Sequence, residues 1–127
     1  MAKTAAQVTD EEIIVYRAAA QRRQEQERVQ QAQRIQRAWI LAQQAAQLLR
    51  ENFGAKEVIL FGSLARRDFF HRCSDLDLAV GGVKNQDFWR AWSVLDQLDR
   101  EFAIDLIDIQ TVSPALKLII DQEGLAL

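Results

Sequence analysis

The sequence predicts an α/β fold: a small mixed β-sheet with flanking helices, preceded by a long N-terminal helix. Three observations predict it. The stretch from Asp10 to Glu51 contains neither Gly nor Pro and is dominated by Ala, Gln, Arg and Glu, which are strong helix formers. Beyond Gly54, short runs rich in Val, Ile and Leu alternate with segments whose apolar residues recur at helical spacing. Two of those runs end in glycine turns, Gly62-Ser63 and Gly81-Gly82. Strand and helix patterns that alternate in this way belong to layered α/β domains.

Taken in order, the first element starts at Thr9 or Asp10, with Glu11 and Glu12 set against the positive end of the helix dipole. Asn52 and Gly54 supply its stop. One unbroken helix over that stretch would be ~60 Å long at ~1.5 Å per residue, more than a domain of this size covers. Its halves also differ. Residues 17–28 are almost wholly polar after the alanines, whereas Ala32, Ile35, Trp39, Ala42, Ala46 and Leu49 recur at steps of three or four. The second half therefore reads as a helix on the core. The first half reads as a solvated arm or as a segment that docks on a partner. The expected organisation is a helical segment over residues 1–51 and a compact domain over 52–127.

Glu57 to Phe61 reads as a strand flowing into the Gly62-Ser63 turn, and Leu64 to Phe70 as a short helix or loop. Leu76 to Val80 is a second strand. Gln86 to Phe102 carries Phe88, Trp89, Trp92, Leu95 and Leu98 at helical spacing. Ile104 to Ile109 is a third strand. Ser113-Pro114 is an N-cap with Pro at the first helical position, so Ala115 to Glu123 is a final helix closed by Gly124. The sheet is expected to carry its helices on one side.

Bulk properties narrow the function. At 127 residues, 49% of them hydrophobic, one core is feasible without staples. A net charge of −2 gives no bulk attraction to nucleic acid or anionic membranes, so direct nucleic-acid binding is not expected. Cys73 is the only cysteine, which excludes an intrachain disulfide and a thiolate-rich zinc site. There is no signal-like N-terminus and no membrane-length apolar run. A cytoplasmic protein is expected.

The chemistry lies between Gly62 and Val80. Side chains at i and i+2 of a strand share a face, so Asp75 and Asp77 stand side by side while Leu76 and Leu78 enter the core. Like charges at that spacing repel, and a hard divalent cation resolves the conflict, because Mg²⁺ takes oxygen ligands from one or two carboxylates and from phosphates. Solvated strand ends also carry such pairs, so the pair alone is weak evidence. The Gly62-Ser63 turn strengthens it. A strand-to-helix turn presents free backbone N–H groups to an anion, Gly62 has no Cβ to block approach, and the Ser63 hydroxyl can donate. Arg66 stands close enough to add a charge-assisted contact to the same phosphate. Asp105, between Ile104 and Leu106 in an apolar strand, needs a partner. Beside the Asp75/Asp77 strand it completes a three-carboxylate cluster suited to two metal ions, or serves as a general base. Asp108 has the opposite parity and reads as a strand-end residue.

Gly62-Ser63, Arg66, Ser74-Asp75-Leu76-Asp77-Leu78 and Asp105 together resemble the minimal nucleotidyltransferase family of the DNA polymerase beta superfamily. The resemblance runs from about Asn52 to Leu127, its closing run LKLIIDQEGLAL included. It implies a polymerase-beta-like fold in which Gly62 and Ser63, with Arg66, bind a nucleoside triphosphate, with ATP the expected substrate. Asp75, Asp77 and Asp105 then bind Mg²⁺ and carry catalysis. It also implies a partner, since several members are antitoxins paired with a HEPN-domain toxin and some transfer AMP to a tyrosine of that toxin. Two departures bear on the loop between the motifs: eleven residues separate Ser63 from Asp75 where ten are usual, and Arg67 stands where glycine is common. The N-terminal helix lies outside the resemblance and offers a surface for homo- or hetero-oligomerisation.

The expected function is thus a Mg²⁺-dependent nucleotidyltransferase that moves AMP from ATP to a hydroxyl of a partner protein. The chief alternative is a non-catalytic antitoxin that silences its partner by binding, and a third is a stand-alone enzyme acting on a small molecule or an RNA end. Among the other residues, His71 reads as an exposed loop histidine and Trp39, Trp89 and Trp92 as core or interface residues. Phe69 and Phe70 stay open as candidates for stacking a base or meeting a partner. Arg22, Arg23, Arg28, Arg34 and Arg37 are interleaved with Glu25 and Glu27 and read as a solvated face.

Overall fold

The computed structural model describes residues 8–66 and 75–127. The chain divides into two compact units, residues 1–34 and 35–127. The first helix, α1, spans Asp10–Phe53. In the first unit, Thr9 caps α1: its Oγ1 accepts from the Glu12 N–H at 3.2 Å, and Asp10, Glu11 and Glu12 occupy the first turn. Ile14, Val15 and Tyr16 are exposed there, and Arg28 pairs with Glu25. Among the described residues no helix is long and apolar enough to cross a membrane.

The second unit holds the rest of α1 and a four-stranded sheet. α1 ends where Gly54 takes a positive φ of 69° and the Ala55 N–H donates to the Leu49 carbonyl. The other elements are β1 (Glu57–Phe61), α2 (Ser63–Arg66), β2 (Leu76–Gly81), α3 (Asn85–Asp96), β3 (Ile104–Asp108), α4 (Pro114–Glu123) and β4 (Leu125–Ala126). The strand order is β3-β2-β1-β4. β1 runs antiparallel to β2 and to β4, while β2 and β3 are parallel. The mixed sheet with flanking helices is the predicted fold.

Strand parity sorts the side chains. Val58, Leu60, Leu76, Leu78, Val80, Ile104 and Leu106 are buried in one cluster with Ala38, Ala42, Ala45 and Leu49 of α1 and Ala91 and Leu95 of α3. Burying a leucine or valine contributes roughly 1.5–3 kcal/mol, so this face supplies most of the unit's stability. The helices are not all on that side, as the sequence had suggested. α4 packs on β1, and at Gly124 it meets Ile59, whose parity is opposite to that of Val58 and Leu60. Ile120 is buried there, outside the main cluster.

Three boundaries carry information. Ser113 caps α4 as expected, its Oγ accepting from the Leu116 N–H at 3.2 Å with Pro114 in the first turn. α3 stops at Asp96, well before the predicted Phe102, because Asp99 turns the chain. Its carboxylate accepts from the Glu101 N–H at 2.6 Å and from the Phe102 N–H at 3.3 Å. β4 was not expected. After Gly124 the chain pairs with β1, and the Leu127 N–H donates to the Val58 carbonyl at 2.9 Å.

Candidate functional site

The face opposite the main core carries a row across three strands. Phe61 pairs with Asp77, and Asp77 pairs with Asp105. Residues in register on neighbouring strands project to the same side, so the two carboxylates are lateral neighbours. Asp75 lies one residue before β2 and is exposed, as is Asp105, while Asp77 is partly buried. Asp108 ends β3, and its Oδ1 accepts from the Gln110 N–H at 2.9 Å, which makes it the strand-end residue its parity indicated.

The glycine-serine turn closes over this row. Gly62 has a φ of 81°, a left-handed conformation that glycine adopts without the Cβ penalty. A Cβ built on it would collide with the Asp77 carboxylate, 3.2 Å from its Cγ. The missing side chain therefore lets the Asp77 carboxylate sit directly against the turn. Ser63 begins α2, and the Arg66 N–H closes the turn onto the Gly62 carbonyl at 3.1 Å.

Charge is unbalanced here. The Asp77 carboxyl is pushed up to about 6, first by burial, then by Asp105 and Asp75, with Arg66 pulling the other way. The native state then binds a proton in a range where the unfolded chain, near ~3.9, has lost it. Stability must therefore fall as pH rises from about 4 toward 7 and level off above the folded value. With partial solvent screening the loss is on the order of 1–2 kcal/mol. Thermal melts in EDTA across this range check it, and the slope should vanish in Asp77→Asn. A flat wild-type profile would show that Asp77 is solvated like an ordinary aspartate.

Asp75 and Asp105 also line an open cleft of about 470 Å³ with Trp92, Asp96, Ala103 and Ile104. Trp92 is anchored, its indole N–H donating to the Ile104 carbonyl at 2.9 Å. Arg66 points from α2 toward α4 and pairs with Glu123 at 3.3 Å. Glu123, Asp96 and Trp92 are the neighbours that sequence reasoning missed. Arg66 and Glu123 lie 57 positions apart, so no local pattern reports that pair. Asp96 follows Trp92 by one helical turn, a spacing that places both on one helix face. Arg67, Phe69, Phe70, His71, Cys73 and Ser74 lie outside the described residues.

The donor set suits a hard cation: all oxygen and like-charged. Among the described residues no three carboxylates, histidines or cysteines converge closely enough to hold a metal ion as they stand.

Comparison with known proteins adds to this geometry. Residues 43–127 match the family described as "Polymerase beta, Nucleotidyltransferase". Among solved structures, a chain of a toxin-antitoxin complex with AMP-PNP is 25% identical, with a TM-score of 0.57 over 67% of this chain and 70% of that one. A variant of the MntA-HpeT toxin-antitoxin complex is 27% identical, with a TM-score of 0.56 over 67% and 69%. A protein described as a minimal nucleotidyltransferase is 25% identical, with a TM-score of 0.60 over 73% of this chain and 95% of that one. No curated protein matches the chain.

Proposed function

The chain belongs to the polymerase beta nucleotidyltransferase family, and from that membership we propose that it transfers AMP from ATP to a hydroxyl of a partner protein, a HEPN-type toxin. The observation that carries this reading is the Asp77–Asp105 register pair standing against the side-chain-free Gly62. Support for the nucleotide comes from the neighbour solved with AMP-PNP, and support for the partner from neighbours that are toxin-antitoxin complexes. In this proposal residues 52–127 form the transferase domain, residues 1–51 the helical segment before it, and the protein works in the cytoplasm.

The residues act by position and charge. Backbone N–H groups at the Gly62-Ser63 turn and the Ser63 hydroxyl bind the triphosphate. Arg66 adds a cation from the next turn and is released to it when its pair with Glu123 opens. Asp75, Asp77 and Asp105 would hold Mg²⁺, which when bound neutralises phosphate charge and aligns attacking and leaving oxygens. Asp105, the outermost carboxylate of the row, accepts the proton of the acceptor hydroxyl at its carboxylate oxygen. The hydroxyl oxygen forms a bond to the α-phosphorus as the bond to the β-phosphate bridging oxygen breaks, and pyrophosphate leaves. Positioning and electrostatics supply most of the rate.

The test is incubation with α-labelled ATP, Mg²⁺ and the co-expressed partner, beside an Asp75→Ala/Asp77→Ala control. Label on the partner that disappears in the control is the expected result. A partner that stays unlabelled yet bound and silenced would replace transfer with occlusion, for which the exposed Ile14, Val15 and Tyr16 of α1 are the natural contact.

A further inference from the structure

α3 presents aromatic rings that the proposed chemistry does not use. Trp89 is 70% exposed, so of the core and interface positions its helical spacing suggested, the core position is overturned. It stacks on Trp92 with centroids 5.4 Å apart and planes at 13°, and Phe88 meets both rings edge-on at 5.7 and 6.2 Å. Trp92 has a structural role, since its indole N–H covers the Ile104 carbonyl on the outer edge of β3. Trp89 adds nothing to that cover. It holds a large apolar surface in water, fixed in orientation by two aromatic neighbours.

The surroundings of this stack are acidic on both sides. Trp92 lines the cleft that holds Asp75, Asp96 and Asp105, and among the described residues no Lys or Arg lines it. Phe88 and Trp89 line a second open cavity of about 420 Å³ with Ile107, Asp108 and Val112. An indole face attracts guanidinium and ammonium groups through its quadrupole, and flanking carboxylates reinforce the same preference. Nucleic acid is disfavoured for the same reason: its bases could stack, but its phosphates would face these carboxylates.

We propose that Trp89 and Trp92, flanked by Asp96, form a docking ledge for an arginine- or lysine-bearing segment of the acceptor protein. The ledge leads that segment into the cleft beside Asp105. This rests on the transfer reading above, because the ledge is continuous with the cleft in which the acceptor hydroxyl would react. It names the partner chemistry: a basic segment next to the modified hydroxyl.

The test uses the full chain and three fluorescein-labelled probes: a peptide with tyrosine flanked by arginines, the same peptide with glutamates, and an oligoadenylate RNA. Anisotropy without ATP measures binding, and labelled ATP measures transfer separately. The arginine peptide should bind at least tenfold more tightly than the other two. Trp89→Ala and Asp96→Asn should each weaken it roughly tenfold, and Trp89→Phe by less. Trp89 is exposed, so its removal leaves no core cavity; circular dichroism confirms folding. Equal binding of the arginine and glutamate peptides, tighter binding of RNA, or wild-type affinity in both variants overturns the ledge. Peptide binding with these sensitivities but no transfer would keep the ledge and remove the transfer reading.

Discussion

Asp77→Asn is expected to lower AMP transfer on the order of a thousandfold while leaving the metal-free fold as stable as before or more so. The two halves of this result have one cause. Asp77 is the partly buried carboxylate of the row, and burial with its two acidic neighbours raises its affinity for a proton. At neutral pH its charge is a cost to the empty protein. Asparagine keeps the shape and removes the charge, so the cost disappears. With Mg²⁺ and triphosphate present the same charge becomes a ligand, and losing a carboxylate from a metal cluster removes several kcal/mol of charge stabilisation from the transition state. A melting temperature that rises together with a collapse of label transfer identifies a site held against stability for function. A variant that melts lower, or that transfers within tenfold of wild type, would place the metal elsewhere.

Local pattern made much of this arrangement legible. The alternation around Asp75, Leu76, Asp77 and Leu78 sorts charge from core because a strand has a period of two, and the structure keeps that sorting. The cap at Ser113 and the stop at Gly54 are likewise written within a few residues of where they act. Pairings at long range were not legible. Nothing near Arg66 points to Glu123, and nothing near Leu125 points to β1, because both partners are chosen by the way β1 and α4 come together. The end of α3 was missed for a different reason. Leu98 and Phe102 keep the helical period, yet the Asp99 carboxylate captures the Glu101 and Phe102 N–H groups, and a local turn overrides periodicity. Trp89 shows the converse limit, since a period identifies a helix face but not whether that face is covered.

Gly62→Ala separates backbone strain from damage to the site when it is measured beside Gly54→Ala. Both glycines have positive φ, 81° and 69°, so alanine costs each roughly 1–2 kcal/mol of backbone strain. Around Gly54 a new Cβ meets nothing within 4 Å, and that strain is its whole cost. At Gly62 the Cβ runs into the Asp77 carboxylate, on a residue whose backbone is held in register between Phe61 and Asp105. The turn or the carboxylate must move, and either shift displaces a group that binds the triphosphate or its metal. Gly54→Ala should therefore melt lower and transfer AMP at close to the wild-type rate at a temperature where it is folded. Gly62→Ala should melt at least as low and lose ~100-fold or more in transfer, because misplacing reacting groups by about 1 Å has that effect. Calorimetric titration with a non-hydrolysable ATP analogue and Mg²⁺ gives a second readout, with binding weakened only in Gly62→Ala. Equal transfer by the two folded variants would mean that the Gly62 turn shapes the chain and takes no part in holding the nucleotide.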